Sequence, residues 1–157
     1  MPYDKIIQLL TDHNIPHKIH EHGVIKTVQD AIERFHLPVD NLLKTVVFQI
    51  KNGRWILAAV RGADRIDYKK LADALATKRT KLRPISPEQV QTELGFQIGG
   101  VGPFPILDSD QLIIVFDTQA AELGTIVCGS GLNTRTIEAD VQDLIQLADA
   151  LTADIVR

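Results

Sequence analysis

The chain has 157 residues, a length typical of one domain with its own hydrophobic core. Hydrophobic residues make up 45% and charged residues 24% of it, which is close to the average soluble composition and excludes a largely disordered chain. The net charge of −3 argues against non-specific binding of nucleic acid through overall charge. No apolar run is long enough to cross a bilayer and the first residues lack the layout of a secretion signal, so we expect a cytoplasmic protein without a membrane partner. The single cysteine, Cys128, can form neither an intrachain disulfide nor a cysteine-based zinc site.

The first elements are a helix and an extended segment. Apolar residues at helical spacing, Ile6, Leu9 and Leu10, predict a helix that ends before Asn14 and Pro16. Residues 16–22 are irregular or extended and contain three histidines, His17, His20 and His22. In a strand, residues 17 and 20 would point to opposite faces, so we do not expect these histidines to bind a metal ion.

A second helix is followed by a β-hairpin. Thr27 and Asp30 form a capping-box pattern, and the helix that follows is expected to end at Leu37-Pro38. Two β-rich runs, 44–50 and 55–60, flank an Asn-Gly pair, the strongest short hairpin signal. Lys44 therefore stands at the start of a strand that is expected to cross the core.

The second half of the chain is predicted to mix short helices with short strands. Asp67 and Ser86 are the expected N-caps of two helices, and Gly95 is the expected left-handed residue that ends the second. A last helix begins after Asp140. The expected strands are 112–116, 125–128 and 134–137, with a short helix or turn over 118–123.

Two glycine-rich stretches are candidates for a binding site. After Gly95 we expect a short strand and then a loop with glycine at 99, 100 and 102, which Pro103 makes rigid. Such a loop is either a turn or the wall of a pocket where a polar ligand approaches the main chain. The second stretch, 129–133, contains Gly129, Ser130 and Gly131.

About half of the basic residues, eight of 17, fall in one region of the chain. They form either a solvated surface or a phosphate-binding patch. These residues are Arg61, Arg65, Lys69, Lys70, Lys78, Arg79, Lys81 and Arg83.

The order of elements indicates an α+β fold in a single domain, 1–157. We expect a mixed, largely antiparallel, barrel-like sheet surrounded by helices. This arrangement would bring the strand of Lys44, the loop at Gly99 and the loop at Gly129 to one cavity.

Several short motifs, taken in order, resemble those of the YbaK/ProX family. They are Thr-x-x-Asp-Ala at 27, Lys-Thr-Val-Val at 44, Ala-Asp-Arg-x-Asp-x-Lys-Lys-Leu at 63–71, Gly-x-x-x-Pro at 99–103 and the glycine-rich turn before the final predicted strand. The resemblance covers nearly the whole chain. It implies a trans-editing aminoacyl-tRNA deacylase that hydrolyses the ester of a mischarged amino acid without a metal or other cofactor, and it implies the tRNA acceptor end as partner, with an aminoacyl-tRNA synthetase as a further one.

The resemblance also implies roles for particular residues. Lys44 would act as an electrostatic clamp on the terminal phosphate or the developing oxyanion, and the backbone amides of the 99–103 loop would hold the terminal adenosine and the carbonyl. Ser130 would orient water or the substrate amine, or only shape its turn. The candidate catalytic residues are Lys44, Gly100, Gly102 and Ser130. The candidate substrate-binding residues are Gly99, Val101, Pro103, Gly129, Gly131 and His20.

The chain departs from the family pattern at two positions. Gly102 stands where many relatives have serine, and no histidine follows Asn133.

Cysteine or alanine carried on a proline tRNA is the substrate that the resemblance favours. The alternatives are a non-catalytic module that binds tRNA ends or a synthetase, a small nucleotide binder that uses the glycine loops as anion nests, and, more weakly, a metal-dependent hydrolase.

Overall fold

A computed structural model describes residues 1–35 and 41–157. The described part contains five α-helices and eight β-strands, which confirms the predicted α+β class. The helices are α1 (Pro2–Asp12), α2 (Val28–Phe35), α3 (Tyr68–Ala74), α4 (Pro87–Leu94) and α5 (Val141–Ala148). The strands are β1 (His17–Glu21), β2 (Leu43–Ile50), β3 (Trp55–Arg61), β4 (Leu82–Pro84), β5 (Leu112–Asp117), β6 (Thr125–Gly129), β7 (Arg135–Asp140) and β8 (Leu151–Ala153).

In the described part of the chain, the strands form two sheets that are joined by one isolated bridge. One sheet has the order β1-β7-β6 and the other β4-β2-β3-β5-β8. The pairs β3-β5 and β5-β8 are parallel and the other pairs are antiparallel, so the sheets are largely antiparallel, as predicted. Leu42 and Val127 join the two sheets through an isolated parallel bridge. Within the described ranges the strands do not close into a complete barrel.

Two hydrophobic clusters cover the two faces of the larger sheet. One face packs against the smaller sheet and helices α1, α4 and α5, with Leu43, Val47 and Ile137 among its buried residues. The other face packs against α3, where Phe48 and Leu71 are fully buried. Because side chains alternate along a strand, Lys44 and Val46 lie on the α3 side of β2 with Phe48.

Local sequence signals correctly predicted where four of the helices begin and where α4 ends. Asp67 caps α3 by accepting hydrogen bonds from two backbone amides at 3.0 and 3.1 Å, and Asp140 caps α5 by accepting one at 2.8 Å. Gly95 ends α4 with a φ of +84°. The Thr27 hydroxyl accepts from the Asp30 amide at 3.0 Å, which confirms the cap of α2. The predicted end of that helix at Leu37-Pro38 lies outside the described residues.

One predicted strand does not form, and two short strands were not predicted. The short strand expected after Gly95 does not form, because the Gln97 amide donates to the Gly131 carbonyl at 3.0 Å and the Gly100 amide turns back to the Gln97 carbonyl at 2.8 Å. Strands β4 and β8, three residues each, were not predicted.

In the described part of the chain, no helix has the length and apolar character that a membrane span requires.

Candidate functional site

A cavity of about 330 Å³ opens where β2 and β6 move apart beyond the Leu42–Val127 bridge. Strand β4 pairs with β2 only at Phe48–Ile50, so it does not fill this gap. The first turn of α2 and the 98–101 loop form further walls. The lining residues are Ile25, Lys26, Thr27, Val28, Ala31, Leu42, Leu43, Lys44, Thr45, Val46, Val47, Ile85, Pro87, Val90, Ile98, Gly99, Val101, Val127, Cys128, Gly129 and Thr136.

The cavity wall is mostly aliphatic, with a few polar groups. Among the described lining residues there are two lysines and three threonines, and none is acidic or a histidine. A largely apolar cavity with a few placed polar groups is the usual form of a small-ligand site. The two ammonium groups favour an anionic ligand.

Lys44 is held in place by a backbone carbonyl. Its Nζ donates to the Asp64 carbonyl oxygen at 2.7 Å, and the Asp64 carboxylate itself accepts from Arg61 at 2.7 and 3.2 Å. An ammonium has three donors, so two remain for a ligand. Burial and the nearby Arg65 guanidinium lower the pKa of Lys44, while the Asp64 carboxylate acts in the opposite direction.

Three of the predicted site residues fall on one row across the strands. Gly129 pairs with Thr136, and Thr136 pairs with His20. Lys44 and Gly129 each lie two residues beyond the Leu42–Val127 bridge, so they share the same face. Lys44, Gly129 and Thr136 line the cavity, whereas His20 is one strand further away and its Nε2 lies 3.1 Å from Glu138 Oε1. A direct contact between His20 and substrate stays a prediction.

The two glycine loops cross each other at backbone distance. A Cβ atom at Gly129 would lie 2.1 Å from the Val101 carbonyl oxygen, and one at Gly102 would lie 2.1 Å from the Gly129 carbonyl oxygen. The Gly131 amide donates to the Gly100 carbonyl at 2.7 Å, and the Asn133 amide donates to the Gln97 side chain at 2.9 Å. The glycines therefore allow close packing of main chain on main chain, a reason that differs from the ligand approach expected from sequence.

Gly99 makes a similar contact with the segment before α2. Its φ is +85°, and a Cβ atom there would lie 2.2 Å from the Ile25 carbonyl oxygen. The Ile25 amide donates to the Asn133 carbonyl at 2.8 Å. These contacts join the 99–101 loop, the 131–133 loop and the start of α2 into one wall.

Some amides of the first glycine loop have no protein acceptor. Within residues 1–35 and 41–157, those of Gly99, Val101 and Gly102 donate to no protein group, whereas that of Gly100 is used inside the turn. Gly99 and Val101 line the cavity, while Gly102 and Pro103 are buried behind it. The geometry thus supplies main-chain donors for a ligand carbonyl or phosphate at Gly99 and Val101. Their use by a substrate stays a prediction.

Ser130 is fully buried and does not line the cavity. Its hydroxyl donates to the Arg135 carbonyl at 2.6 Å and accepts from the Leu132 amide at 3.3 Å. These bonds fix the shape of the 129–133 loop, which also contains the buried Gly131. A role for Ser130 in orienting water or a substrate amine stays a prediction.

The remaining candidates are Cys128 as a nucleophile and the histidines as metal ligands, and the surroundings of each argue against that role. Burial raises the pKa of the Cys128 thiol far above its usual range, so this thiol is protonated at neutral pH and is a poor nucleophile. His17 Nδ1 lies 2.8 Å from the Ile15 carbonyl, and His22 Nδ1 lies 2.7 Å from the Gly23 carbonyl. In the described part of the chain, no three His, Cys, Asp or Glu side chains are grouped closely enough to hold a metal ion.

Sequence reasoning missed the open edge of β2 at Thr45. The Gly62 amide donates to the Leu42 carbonyl, and the Ile85 amide donates to the Val47 carbonyl from the other side. By the alternation of an antiparallel ladder, the amide and carbonyl of Thr45 point away from β3 into the gap, where no described strand pairs with them. A lysine followed by threonine gives no sequence signal for this, because it depends on the register of three strands.

Two threonine hydroxyls of the cavity wall were also missed. The Oγ1 atoms of Thr45 and Thr136 are buried and form no hydrogen bond with any residue of the described ranges. A buried hydroxyl without a partner is costly, and each such group calls for an explanation. A bound ligand that donates or accepts here would remove this cost.

The family was identified by comparison with known proteins. The family model described as "Aminoacyl-tRNA editing domain" matches residues 22–147, most of the chain. The chain belongs to this family. This membership confirms the resemblance to the YbaK/ProX group, and the matched region contains Lys44, both glycine loops and Thr136.

Relatives of this editing domain occur both inside larger enzymes and as separate chains. Proline--tRNA ligase of Staphylococcus epidermidis is 28% identical over 106 residues, which cover 68% of this chain but 18% of the ligase. The uncharacterized protein YwhH of Bacillus subtilis is 26% identical over 122 residues, which cover 78% of this chain and 74% of YwhH. The chain thus matches about a fifth of the ligase but most of YwhH.

Solved structures share the fold of this editing domain. The hypothetical protein APE2540 superposes with a TM-score of 0.86 at 17% identity, covering 98% of this chain and 99% of that one. A proposed trans-editing enzyme for prolyl tRNA synthetase superposes with a TM-score of 0.78 at 24% identity, covering 100% and 98%. At these identities the likeness establishes the fold alone.

Proposed function

We propose that this editing domain is a trans-acting aminoacyl-tRNA deacylase. The observation that carries the proposal is the position of Lys44 in one cavity with the amides of Gly99 and Val101 and the edge of β2 at Thr45. None of these backbone groups has a partner among the described residues. The family supplies the substrate class, and the cavity supplies donors for its charged and carbonyl groups. Since aminoacyl-tRNA is used in translation, the proposed location is the cytoplasm. The proposed substrate is a mischarged tRNA, and an aminoacyl-tRNA synthetase is the proposed enzyme that produces it.

The chemistry requires few polar residues because an aminoacyl ester is already activated. Water adds to the ester carbonyl carbon, and the carbonyl oxygen becomes an oxyanion that amide donors and the Lys44 ammonium stabilise. The bond from this carbon to the ribose oxygen then breaks. The attacking water gives one proton to solvent, and the ribose oxygen takes up one proton from solvent, which releases the free amino acid and intact tRNA. Positioning of the water against the carbonyl supplies the remaining acceleration.

The cavity fits a small aminoacyl group. Its wall near β2 and β6 consists of Leu43, Val47, Val127 and Cys128, which leave no described acidic partner for a basic side chain. Relatedness to the editing part of proline--tRNA ligases supports cysteine or alanine on a proline tRNA as the substrate. An amino acid of that size would place its amine against the Thr45 carbonyl or the Thr136 hydroxyl.

A panel of labelled aminoacyl-tRNAs tests the proposal, with the purified protein assayed in the presence and absence of EDTA. We expect rapid release from cysteinyl- or alanyl-tRNA for proline and little release from prolyl-tRNA, with no loss in EDTA. Loss of activity in EDTA would contradict the metal-independent mechanism. Measurable tRNA binding without release from any member of a complete panel would contradict the deacylase and favour a non-catalytic binding module.

The lowered pKa of Lys44 predicts a fall in activity at alkaline pH. The ammonium is present below its folded-state pKa and is lost as pH rises through it, so kcat/KM corrected for hydroxide-driven hydrolysis should fall at a pH below the usual range of lysine. Because Arg65 contributes to the lowering, Arg65→Gln should move this fall to higher pH. A pH–rate profile of both proteins provides the measurement, and an unchanged midpoint in Arg65→Gln would contradict the assignment to Lys44.

A further inference from the structure

Residues 61–83 have a charge opposite to that of the whole chain. They contain eight of the 17 lysines and arginines but only three of the 20 acidic residues, while the net charge of the chain is −3. Two of these three acids are engaged, since Asp64 pairs with Arg61 and Asp67 caps α3. The segment is therefore a local positive region on an otherwise acidic protein.

Five cations of this segment are exposed and have no partner among the described residues. Three others have partners: Arg61 pairs with Asp64, Lys70 with Asp154 at 3.0 Å, and the Arg79 guanidinium lies 4.6 Å from the centre of the Tyr68 ring. The side chains of the other five form no hydrogen bond or ion pair with any residue in ranges 1–35 and 41–157. We call these five the basic strip: Arg65, Lys69, Lys78, Lys81 and Arg83.

The basic strip reaches the cavity from two sides. Arg65 directly follows Asp64, whose carbonyl oxygen accepts from Lys44 Nζ at 2.7 Å. Arg83 lies two residues before Ile85, whose amide donates to the Val47 carbonyl and whose side chain lines the cavity. Since β4 pairs with the Phe48–Ile50 end of β2, the far part of the strip lies about 20 Å from Lys44 at the usual rise per strand residue.

Helix α3 and the 3-10 turn at Arg79–Lys81 form one support for the strip. The Thr77 amide donates to the Ala72 carbonyl at 3.0 Å, and Tyr68 packs edge-on against Phe48 with ring centres 5.2 Å apart. Lys69 on the helix and Lys78 and Lys81 at the turn are thus held on a common scaffold. This scaffold covers the α3 side of β2, the side on which Lys44 lies.

We propose that the basic strip binds the phosphates of an RNA stem whose 3′ end enters the cavity. The inference rests on the proposed function and adds the route of the nucleic acid across the surface. A strip of separate cations that leads to a cavity suits a backbone with regularly spaced charges. An anionic membrane fits less well, because membrane-binding faces add exposed apolar side chains. The exposed large hydrophobic residues of the described ranges, Met1, Val24 and Leu151, lie outside the segment.

The test measures binding of uncharged tRNA as a function of salt concentration. Each lost phosphate contact reduces the slope of log K against log salt by about 0.7–0.9, so Lys78→Gln/Lys81→Gln should lower it by about 1.5. Over the decade between 1 M and 0.1 M salt this difference weakens binding by about 30-fold. The control is Lys5→Gln/Lys18→Gln, which removes the same charge from α1 and β1. This control should change the slope by less than half as much.

Uncharged tRNA has no ester, so this result is independent of whether the protein hydrolyses one. An unchanged slope in the strip variant, or an equal loss in the control, would overturn the proposal even if deacylation is confirmed. Phosphatidylserine vesicles provide the second arm of the test. Binding to these vesicles that depends on Lys78 and Lys81, without a matching dependence for tRNA, would also overturn it. The melting temperature of the strip variant should match that of the unaltered protein, because neither of its two side chains has a partner in the described ranges. The control loses the hydrogen bond from Lys5 Nζ to the Ile106 carbonyl at 2.9 Å, so its slope is measured well below its own melting temperature.

Discussion

Replacement of Lys44 by alanine is expected to lower kcat/KM for deacylation by about 100- to 1000-fold, the usual cost of removing one donor to a developing oxyanion. Lys44 suits this role because a hydrogen bond fixes the position of its ammonium group, while two N–H donors of that group remain for a ligand. Its Nζ is fixed by the Asp64 carbonyl at 2.7 Å, an acceptor without a full negative charge. The charge of Lys44 is thus left for the substrate rather than neutralised by a carboxylate.

The matched control is Lys51→Ala, at the turn beyond the other end of the same strand. Lys51 is exposed and distant from the cavity, so its loss should leave kcat/KM within about twofold, as is usual for surface substitutions. Single-turnover kinetics with a mischarged tRNA and the melting temperature of each variant provide the measurement. A Lys44→Ala protein that folds and retains more than a tenth of the activity would show that Lys44 is not the electrostatic clamp.

Local chemistry explains which parts of the fold were predictable from sequence. The caps at Asp67 and Asp140 and the left-handed Gly95 depend on hydrogen bonds and backbone angles within a few residues, and these predictions are confirmed. The hairpin around Asn52 is likewise local, since Asn52 has a φ of +57°. In contrast, β4 and β8 are three residues long and exist because of their partners, so neither has a periodic pattern of its own.

The candidate site shows the same division. Lys44 and the glycine loops were found from sequence because they match a motif, whereas Thr45 and Thr136 were not. The importance of Thr45 depends on which edge of β2 is unpaired, and that of Thr136 depends on its pairing with Gly129 across β6 and β7. Register is a property of the assembled sheets. The composition of the 99–103 loop also left open why its glycines are needed, because the contact with Gly129 joins residues far apart in sequence.

The close contact between Gly129 and the 99–103 loop predicts that Gly129→Ala lowers both the stability and the activity of the protein. The new Cβ atom would lie 2.1 Å from the Val101 carbonyl oxygen and 2.6 Å from its carbonyl carbon. A backbone neighbour cannot rotate away as a side chain can, so one of the two loops must shift. We expect a destabilisation of about 1–3 kcal/mol, as for other overpacked sites. Because a shift of about 1 Å in a positioning group costs about 100-fold in rate, kcat/KM should fall by about that factor.

The control for this variant is Gly53→Ala. It distinguishes the effect of a clash between the two loops from the general effect of replacing glycine by alanine. At Gly53 the closest contacts of a Cβ atom would be 3.3 Å, to the Cβ and Cγ2 atoms of Ile50, which is more than 1 Å longer than the contact at Gly129 and lies in an exposed turn. We expect little change in stability and none in rate. Denaturant unfolding gives the first quantity, and deacylation measured well below the melting temperature gives the second. If Gly129→Ala were as stable and active as Gly53→Ala, the close crossing of the two loops would have no part in shaping the site. If Gly129→Ala were destabilised but fully active, the contact between the two loops would stabilise the fold alone. The positions of the Gly99 and Val101 amides would then not depend on this contact.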